Sequence, residues 1–190
     1  MGAKKTRGGS AMSRTAGVFF DSGFHCAESV LMSAKGALGV RSSALPRIAT
    51  GFGAGVGRKG SLCGALTGAI MGIGLAHGRE NPGQDRERAY ALARRVFDRF
   101  RVRFGSPYCM DLIGVDLNTK AGMDKYHRLN MHTLKCAKFV AGCAGILEEE
   151  LAREKRTAGS GPDRKGATGT ARKAAQKTAP KPARKRALAR

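Results

Sequence analysis

The stretch Ser61–Ala76, SLCGALTGAIMGIGLA, carries no charged residue, and its glycines Gly64, Gly68 and Gly72 recur every fourth position. Residues four apart lie on one face of a helix, so this helix has a face with almost no side chains. Such a face lets another helix approach closely, and that packing offsets the ~1 kcal/mol that each glycine costs relative to alanine. The run is shorter than the ~20 apolar residues of a membrane span. We therefore expect a buried central helix with Ser61 as its N-cap, and no membrane contact.

Amphipathic segments flank this central helix and predict the other members of a bundle. Apolar residues recur at helical spacing in three of them: Phe19–Leu38, Asp85–Phe104 and Thr133–Arg156. Pro46 suits the first turn of a further short helix. No segment alternates apolar and polar residues convincingly, so the sequence predicts an all-α fold, a small helical bundle around a close-packed central helix.

Charge divides the chain into three parts. The formal net charge is +21, and most of it lies in the two ends. The segment 157–190 is rich in Ala, Lys, Arg and Pro and poor in large apolar side chains, so it cannot bury enough surface to offset the entropy of ordering. We expect a basic disordered extension over residues 1–17, a helical domain over 18–156 and a basic disordered tail over 157–190.

The basic tail over 157–190 suggests two roles. It could serve only as a solvated, solubilising segment, or it could bind nucleic acid or another polyanion without sequence preference, since Lys and Arg displace counterions from phosphates. No aromatic residue is interleaved with its charges, so stacking on bases is not expected. The N-terminus has no apolar core of a secretory signal, and we expect a cytoplasmic protein.

The five cysteines are Cys26, Cys63, Cys109, Cys136 and Cys143. No CxxC or CxxCH motif occurs, so neither a zinc ribbon nor covalent c-type haem is indicated. The first four fall on different predicted elements, and a bundle could bring them to one point. Cys143 fits a small buried apolar residue.

Cys63 stands at the start of the central helix, where the helix dipole and unpaired N–H groups favour a thiolate. Arg58 and Lys59 are close in sequence and add positive charge. We therefore expect the pKa of Cys63 to fall and its reactivity to rise.

Four segments of the chain together resemble one family: GFHCAESVL, GFGAGVGRKGSLCGALTGAIMGIGLAHG, GSPYCMDLIGVDL and CAKFVAGCAGILEE. The resemblance, over residues 18–150, is to the redox-active C_GCAxxG_C_C proteins, whose signature is four separated cysteines and a Cys-Gly-Ala-x-x-Gly motif. That motif is Cys63–Gly68 here. The other three positions correspond to Cys26, Cys109 and Cys136. The resemblance implies a redox function, as an oxidoreductase or an electron-transfer protein, without naming a substrate.

Two chemistries remain open at these cysteines. In thiol–disulfide exchange, Cys63 would attack and one of Cys26, Cys109 and Cys136 would resolve the mixed disulfide. Alternatively, all four thiolates would ligate an iron–sulfur cluster or another metal ion. Because exchange needs only two thiols, four of them favour a bound centre slightly.

The glycines around Cys63 bear on the choice of cofactor. We expect Gly60, Gly64 and Gly68 to lie close to the sulfur or to a bound cluster, where they leave N–H groups free. Residues Gly55–Gly60 match GxGxxG, but no predicted strand precedes them, so a dinucleotide site is not favoured.

The competing functional class is a non-enzymatic binding protein with structural cysteines, whose basic tail contacts nucleic acid or another polyanion. The sequence does not identify an electron partner.

Overall fold

The helices of the protein surround the glycine-rich segment. A computed structural model describes residues 9–159, and within that range every regular element is helical, which confirms the all-α prediction. The elements are α1 (Ala11–Asp21), α2 (Cys26–Leu38), a 3₁₀ helix (Arg47–Phe52), α3 (Gly53–Val56), α4 (Gly64–His77), α5 (Glu87–Phe104), α6 (Cys109–Ile113), α7 (Lys120–Arg128), a π-helical turn (His132–Cys136) and α8 (Ala137–Gly159).

Helix α4 is the centre of the bundle and packs against α2, α5 and α8. Its glycine face lies on α2: a Cβ atom at Gly68 would stand 2.4 Å from the carbonyl oxygen of Ala27. A Cβ atom at Gly72 would stand 2.9 Å from the Cβ of Ala34. The predicted close approach of a second backbone to this face is therefore confirmed.

Ion pairs hold α5 on α8 at the other side of the core. Glu150 is almost fully buried and accepts hydrogen bonds from Arg95 Nε at 2.8 Å and Arg99 Nη1 at 2.9 Å. The two arginines also pair with Glu154 and Glu149, respectively. The arginines of α5 and the glutamates of α8 thus form charge-assisted hydrogen bonds where the two helices meet.

The buried face of α5 does not include its tyrosine. Leu92, Val96 and Phe100 are buried, whereas Tyr90 is 50% exposed. The Arg86 guanidinium lies over the Tyr90 ring.

The N-terminal boundary of the helical domain needs a correction. Helix α1 begins at Ala11, so residues 11–17 are helical rather than part of a disordered extension. The Ser10 side chain caps this helix by accepting from Ser13 N, and Met12 and Ala16 are buried in the core. A cap and two apolar side chains suffice to order a segment that is basic in composition.

Three further helix boundaries also differ from prediction. The segment 19–38 is two helices, because the chain turns between Asp21 and Cys26. The N-cap of α4 is Cys63 rather than Ser61, and α8 extends to Gly159, past the expected boundary at residue 156. Residues 1–8 and 160–190, which are the first part of the predicted N-terminal extension and all but three residues of the predicted tail, lie outside the described residues.

No helix within residues 9–159 has the length and hydropathy needed to cross a membrane.

Candidate functional site: a cavity lined by four cysteines

Cys26, Cys63, Cys109 and Cys136 line one cavity with a volume of about 40 Å³. The four come from separate elements: the first residue of α2, the N-cap of α4, the first residue of α6 and the last residue of the π-helical turn. Their thiols are free. A cavity of this volume has room for about three water molecules.

The cavity wall is mostly apolar. Phe20, Leu112, Ile113 and Phe139 contribute to it, and the ring of Phe20 stacks on the ring of His132 at 4.0 Å between centroids. Its polar side chains other than the thiols are those of His25, Tyr126 and His132. No carboxylate of residues 9–159 lines it.

The start of α2 places Cys26. The buried Glu28 carboxylate accepts from His25 N at 2.9 Å and from Thr50 Oγ1 at 2.6 Å, which joins the first turn of α2 to the 3₁₀ helix. A Cβ atom at Gly64 would stand 2.3 Å from Cys26 Sγ. Because Gly64, the first glycine of the Cys-Gly-Ala-x-x-Gly motif, has no side chain, the Cys26 sulfur can occupy the space that a Cβ atom would fill.

A left-handed backbone segment covers Cys109. Ala54, Gly55 and Val56 in α3 have φ angles of 52°, 70° and 60°, a conformation that costs L-residues other than glycine roughly 1–2 kcal/mol each. A Cβ atom at Gly55 would stand 2.6 Å from Cys109 Cβ, so only glycine fits there. Ala54 itself lines the cavity.

Backbone hydrogen bonds join the segments that carry Cys63 and Cys109. Cys63 N donates to Pro107 O at 2.8 Å, and Cys109 N donates to Ser61 O at 2.7 Å. These bonds form an isolated antiparallel bridge between Leu62 and Tyr108. The two cysteines are thus fixed to each other through main chain.

The π-helical turn presents Cys136. Such turns insert one extra residue into a helix and are frequent at functional sites. Tyr126 Oη, from α7, donates to Cys136 Sγ at 3.5 Å. Lys135 Nζ donates to the carbonyls of Leu112 and Ile113, which ties the turn to the end of α6.

The expected fall in the pKa of Cys63 is wrong. Burial raises the pKa of this thiol well above its ordinary value, the nearby Cys26 raises it further, and the backbone N–H of Ala65 opposes the rise only in part. Arg58 and Lys59 are exposed and are not among the groups that shift it. The thiol stands at a helix start, but desolvation outweighs the helix dipole.

Cys26, unlike Cys63, is a half-buried residue. Burial raises the pKa of the Cys26 thiol, but the backbone N–H groups of Ala54, Ala27 and Gly64 all lower it. These N–H groups belong to α3, α2 and α4, so three elements meet at this sulfur.

The thiols of Cys109 and Cys136 differ in their surroundings as those of Cys63 and Cys26 do. Burial raises the pKa of Cys109 to about 12, and the neighbouring cysteines add to this. Burial also raises the pKa of the half-buried Cys136, but the Tyr126 hydroxyl and the Lys135 ammonium lower it. The cavity therefore holds two buried thiols and two half-buried thiols with donors directed at them.

Within residues 9–159, no three His, Cys, Asp or Glu side chains are arranged to hold a metal ion. The four thiols therefore do not present the ligand set of a single metal ion in this arrangement, where each thiolate would lie about 2.3 Å from the metal. An iron–sulfur cluster binds its thiolates through separate irons, and that alternative stays a prediction.

The predicted cofactor glycines have protein atoms beside them. The space next to Gly60 is occupied by the Met110 side chain, and the space next to Gly64 and Gly68 by α2. These three glycines thus allow helices and loops to pack, and none of them borders open space where a cofactor could lie.

Sequence reasoning missed three residues of the cavity. These are the polar residues His25, Tyr126 and His132, which no motif of the sequence indicates. Tyr126 lies ten residues before Cys136 on another helix, so no local spacing could have indicated the contact. Cys143, in contrast, is fully buried in α8 and does not line the cavity, as expected for a small apolar residue.

Comparison with known proteins gives one match. The model of the family described as "Putative redox-active protein (C_GCAxxG_C_C)" matches residues 24–150. No curated protein and no solved structure matches the chain.

Proposed function

The chain belongs to the redox-active C_GCAxxG_C_C family, and from that premise we propose that it is a dithiol oxidoreductase that exchanges with the disulfide of a partner molecule. The observation that carries the proposal is the environment of Cys26. Cys26 is half-buried, the backbone N–H groups of Ala54, Ala27 and Gly64 lower the pKa of its thiol, and its sulfur lies against Gly64, the residue next to Cys63. A thiolate is the attacking species in exchange.

The proposal reverses the two roles that the sequence suggested. Cys26 attacks, because it is the more accessible of the two and its thiolate receives hydrogen bonds. Cys63 resolves, because it is buried at 5% exposure and its pKa is raised by burial. A buried thiol beside a half-buried one can reach the mixed disulfide but not a large substrate.

The exchange balances as follows. The Cys26 thiolate attacks one sulfur of the partner's disulfide, a mixed disulfide forms and the partner's first thiolate leaves. The Cys63 thiolate then attacks the Cys26 sulfur, the partner's second thiolate leaves, and a Cys26–Cys63 disulfide remains. Two electrons pass from the protein to the partner, and the two protons of Cys26 and Cys63 are released.

The protons need an acceptor at the cavity. His25 and His132 are the ordinary proton acceptors among its lining residues, since Tyr126 has a pKa raised by burial and by its contact with Cys136. Burial and the charge of His25 lower the pKa of His132. His132 is therefore neutral at physiological pH and able to accept a proton.

The test starts with protein purified without oxygen. Its reduced form is equilibrated with mixtures of reduced and oxidised glutathione, and its disulfides are mapped by mass spectrometry. We expect a Cys26–Cys63 disulfide that is lost in Cys26→Ser and Cys63→Ser and retained in the matched control Cys143→Ala. Serine is a favourable N-cap, so Cys63→Ser preserves the start of α4.

Metal analysis of the same anaerobic preparation distinguishes the other chemistry. Stoichiometric iron and sulfide, or zinc, that is lost in Cys63→Ser would overturn the dithiol proposal in favour of a metal centre. Absence of any disulfide between Cys26 and Cys63 across the glutathione series would also overturn it.

A further inference from the structure

The half-buried and buried thiols of the cavity divide into two similar pairs. Cys26 and Cys63 pack in the main core cluster, whereas Cys109 belongs to a second apolar cluster. Cys136 packs against both clusters, and Lys135 ties its turn to the end of α6, the helix that begins at Cys109. Each pair has one half-buried cysteine, Cys26 or Cys136, and one buried cysteine, Cys63 or Cys109. We propose that Cys136 and Cys109 form a second dithiol couple that reduces the Cys26–Cys63 disulfide inside the cavity. This inference rests on the proposed function.

The contacts of Cys136 parallel those of Cys26. Where Cys26 receives backbone N–H groups, Cys136 receives the Tyr126 hydroxyl at 3.5 Å and lies beside the Lys135 ammonium. Lys135 is held in place by the carbonyls of Leu112 and Ile113. Donors and a nearby cation stabilise a thiolate, so Cys136 is suited to attack.

Cys109 parallels Cys63. It is 8% exposed, and it lies under the left-handed segment, where Gly55 touches its Cβ position. It interacts electrostatically with both Cys136 and Cys26. A buried thiol next to Cys136 is suited to attack the mixed disulfide that Cys136 has formed and so to release the other cysteine.

Cys26 is the junction between the pairs. It interacts electrostatically with Cys63, Cys109 and Cys136, and all four sulfur-bearing residues line a cavity of about 40 Å³. A disulfide bond can therefore be exchanged among these four cysteines without the entry of a large substrate. The redox partner of the second couple is therefore the first couple.

The internal transfer balances without an external oxidant. The Cys136 thiolate attacks the Cys26 sulfur of the Cys26–Cys63 disulfide, and the Cys63 thiolate leaves towards the N–H of Ala65. The Cys109 thiolate then attacks the Cys136 sulfur and expels the Cys26 thiolate. Two electrons move from the second couple to the first, and the two protons of Cys109 and Cys136 are taken up by Cys26 and Cys63.

The consequence is a capacity of four electrons for each chain. The full-length protein is reduced, titrated without oxygen with diamide, which accepts electrons from dithiols, and blocked with N-ethylmaleimide. Intact mass then counts the free thiols, and peptide mapping assigns the disulfides. We expect four of the five cysteines to be oxidised, with Cys143 left free.

Single variants separate this inference from the proposed function. Cys63→Ser should still form a Cys109–Cys136 disulfide, and Cys109→Ser should still form a Cys26–Cys63 disulfide. If Cys109→Ser forms Cys26–Cys63 but Cys63→Ser forms no Cys109–Cys136, the second couple is refuted and the first stands. If Cys109→Ser forms no Cys26–Cys63, the proposed function fails.

A variant that keeps every cysteine gives a second measurement. Tyr126→Phe removes the donor to Cys136 and should slow alkylation of Cys136 by iodoacetamide about two- to tenfold, as expected for one lost hydrogen bond. Alkylation of Cys26 should not change. The control is Tyr108→Phe, since Tyr108 is half-exposed beside Cys109. Equal effects of both variants on Cys136, or none from Tyr126→Phe, would contradict the role of Cys136 as the attacking thiol.

Discussion

Val56 is a β-branched residue held at a φ of 60° in the left-handed segment beside the cavity. That conformation costs roughly 1–2 kcal/mol for an L-residue, and the Val56 side chain recovers little by burial since it is 39% exposed. We expect Val56→Gly to raise the free energy of unfolding by about 1 kcal/mol, net of the entropy that glycine adds to the unfolded chain. Thermal unfolding would show a Tm higher by about 2–4 °C.

The adjacent glycine provides the control for this prediction. Gly57 has a φ of 58° and open space around its Cβ position, so Gly57→Ala introduces strain without a clash. It should lower the Tm by a similar amount. If both variants shift the Tm in the same direction, the stability changes do not come from the left-handed conformation.

The pH dependence of Cys26 follows from its surroundings. Because burial raises its pKa above the ordinary value, only a small fraction is thiolate at neutral pH, and that fraction grows with pH. The alkylation rate of Cys26 should therefore rise about tenfold for each pH unit up to about pH 9. Iodoacetamide rates measured from pH 6 to 10 check this, and a plateau below pH 8 would show that the N–H donors outweigh burial.

Cys63 shows what a sequence predicts at the scale of one residue. Its place at the start of the central helix could be predicted, because glycine spacing and the uncharged run mark the helix. Its pKa could not, because the sign depends on how much water the surrounding elements exclude. Those elements come from positions more than thirty residues away in the chain.

Two glycines of helix α4 test why this element is glycine-rich. Gly68→Ala places a Cβ atom 2.4 Å from the Ala27 carbonyl oxygen, so α2 must move, at a typical cost of 1–3 kcal/mol for overpacking. Gly74→Ala, on the same helix with nothing within 4 Å, should stabilise the protein by up to ~1 kcal/mol.

Denaturant unfolding measures the effects of these two glycine variants. A loss of stability in Gly74→Ala, or none in Gly68→Ala, would contradict the view that the glycine face exists for packing against α2.

The contact between α5 and α8 depends on pH through Glu150. Burial alone would raise the pKa of Glu150, but hydrogen bonds from Arg95 and Arg99 lower it below the ordinary value. The carboxylate therefore contributes stability above about pH 4.3, and this contribution is lost as pH falls through the lower folded-state pKa.

Glu150→Gln isolates this contribution. It should lower the free energy of unfolding at pH 7 by about 1.5–3 kcal/mol, the range for a hydrogen bond to a charged group. The difference from the unmodified protein should shrink in acid. Urea unfolding at pH 7 and pH 3 makes the comparison, and a difference that is equal at both pH values would exclude ionised Glu150 as its source.

Helices could be predicted from the sequence more securely than their boundaries. The amphipathic patterns identified the main helices, since apolar periodicity reflects which face is buried. The break before Cys26 and the π-helical turn before Cys136 have no such periodic signal. Both are set by contacts to other elements, namely Thr50 to Glu28 and Lys135 to the end of α6.

At the scale of the whole chain, the basic tail and the cysteine cavity should act independently. Residues 160–190 carry a large excess of Lys and Arg. Their deletion should weaken binding to heparin or to a DNA duplex and reduce the salt dependence, by about 0.9 in the slope for each lost phosphate contact. The exchange rate of Cys26 should stay the same. Loss of both activities in this deletion would contradict a division into two parts.

The family resemblance identified which four cysteines belong together, and the fold explains how. Their order along the chain gives no distance between them, because the bundle is closed by contacts between residues far apart in sequence. The cysteine count left both dithiol exchange and metal ligation open and favoured a bound centre slightly. Both chemistries use the same residue type, so the choice between them stays a prediction that disulfide mapping and metal analysis test.

The glycine face of α4 has a consequence for the equilibrium between thiols and disulfide. It fixes α2 and α4 backbone to backbone, and Cys26 and Cys63 stand at the starts of these two helices. Two thiols held in this way have a high effective concentration for each other, because little freedom remains to be lost when they join. We therefore expect a substitution at Gly68, which packs on Ala27 beside Cys26, to alter the reduction potential of this thiol pair without replacing a cysteine.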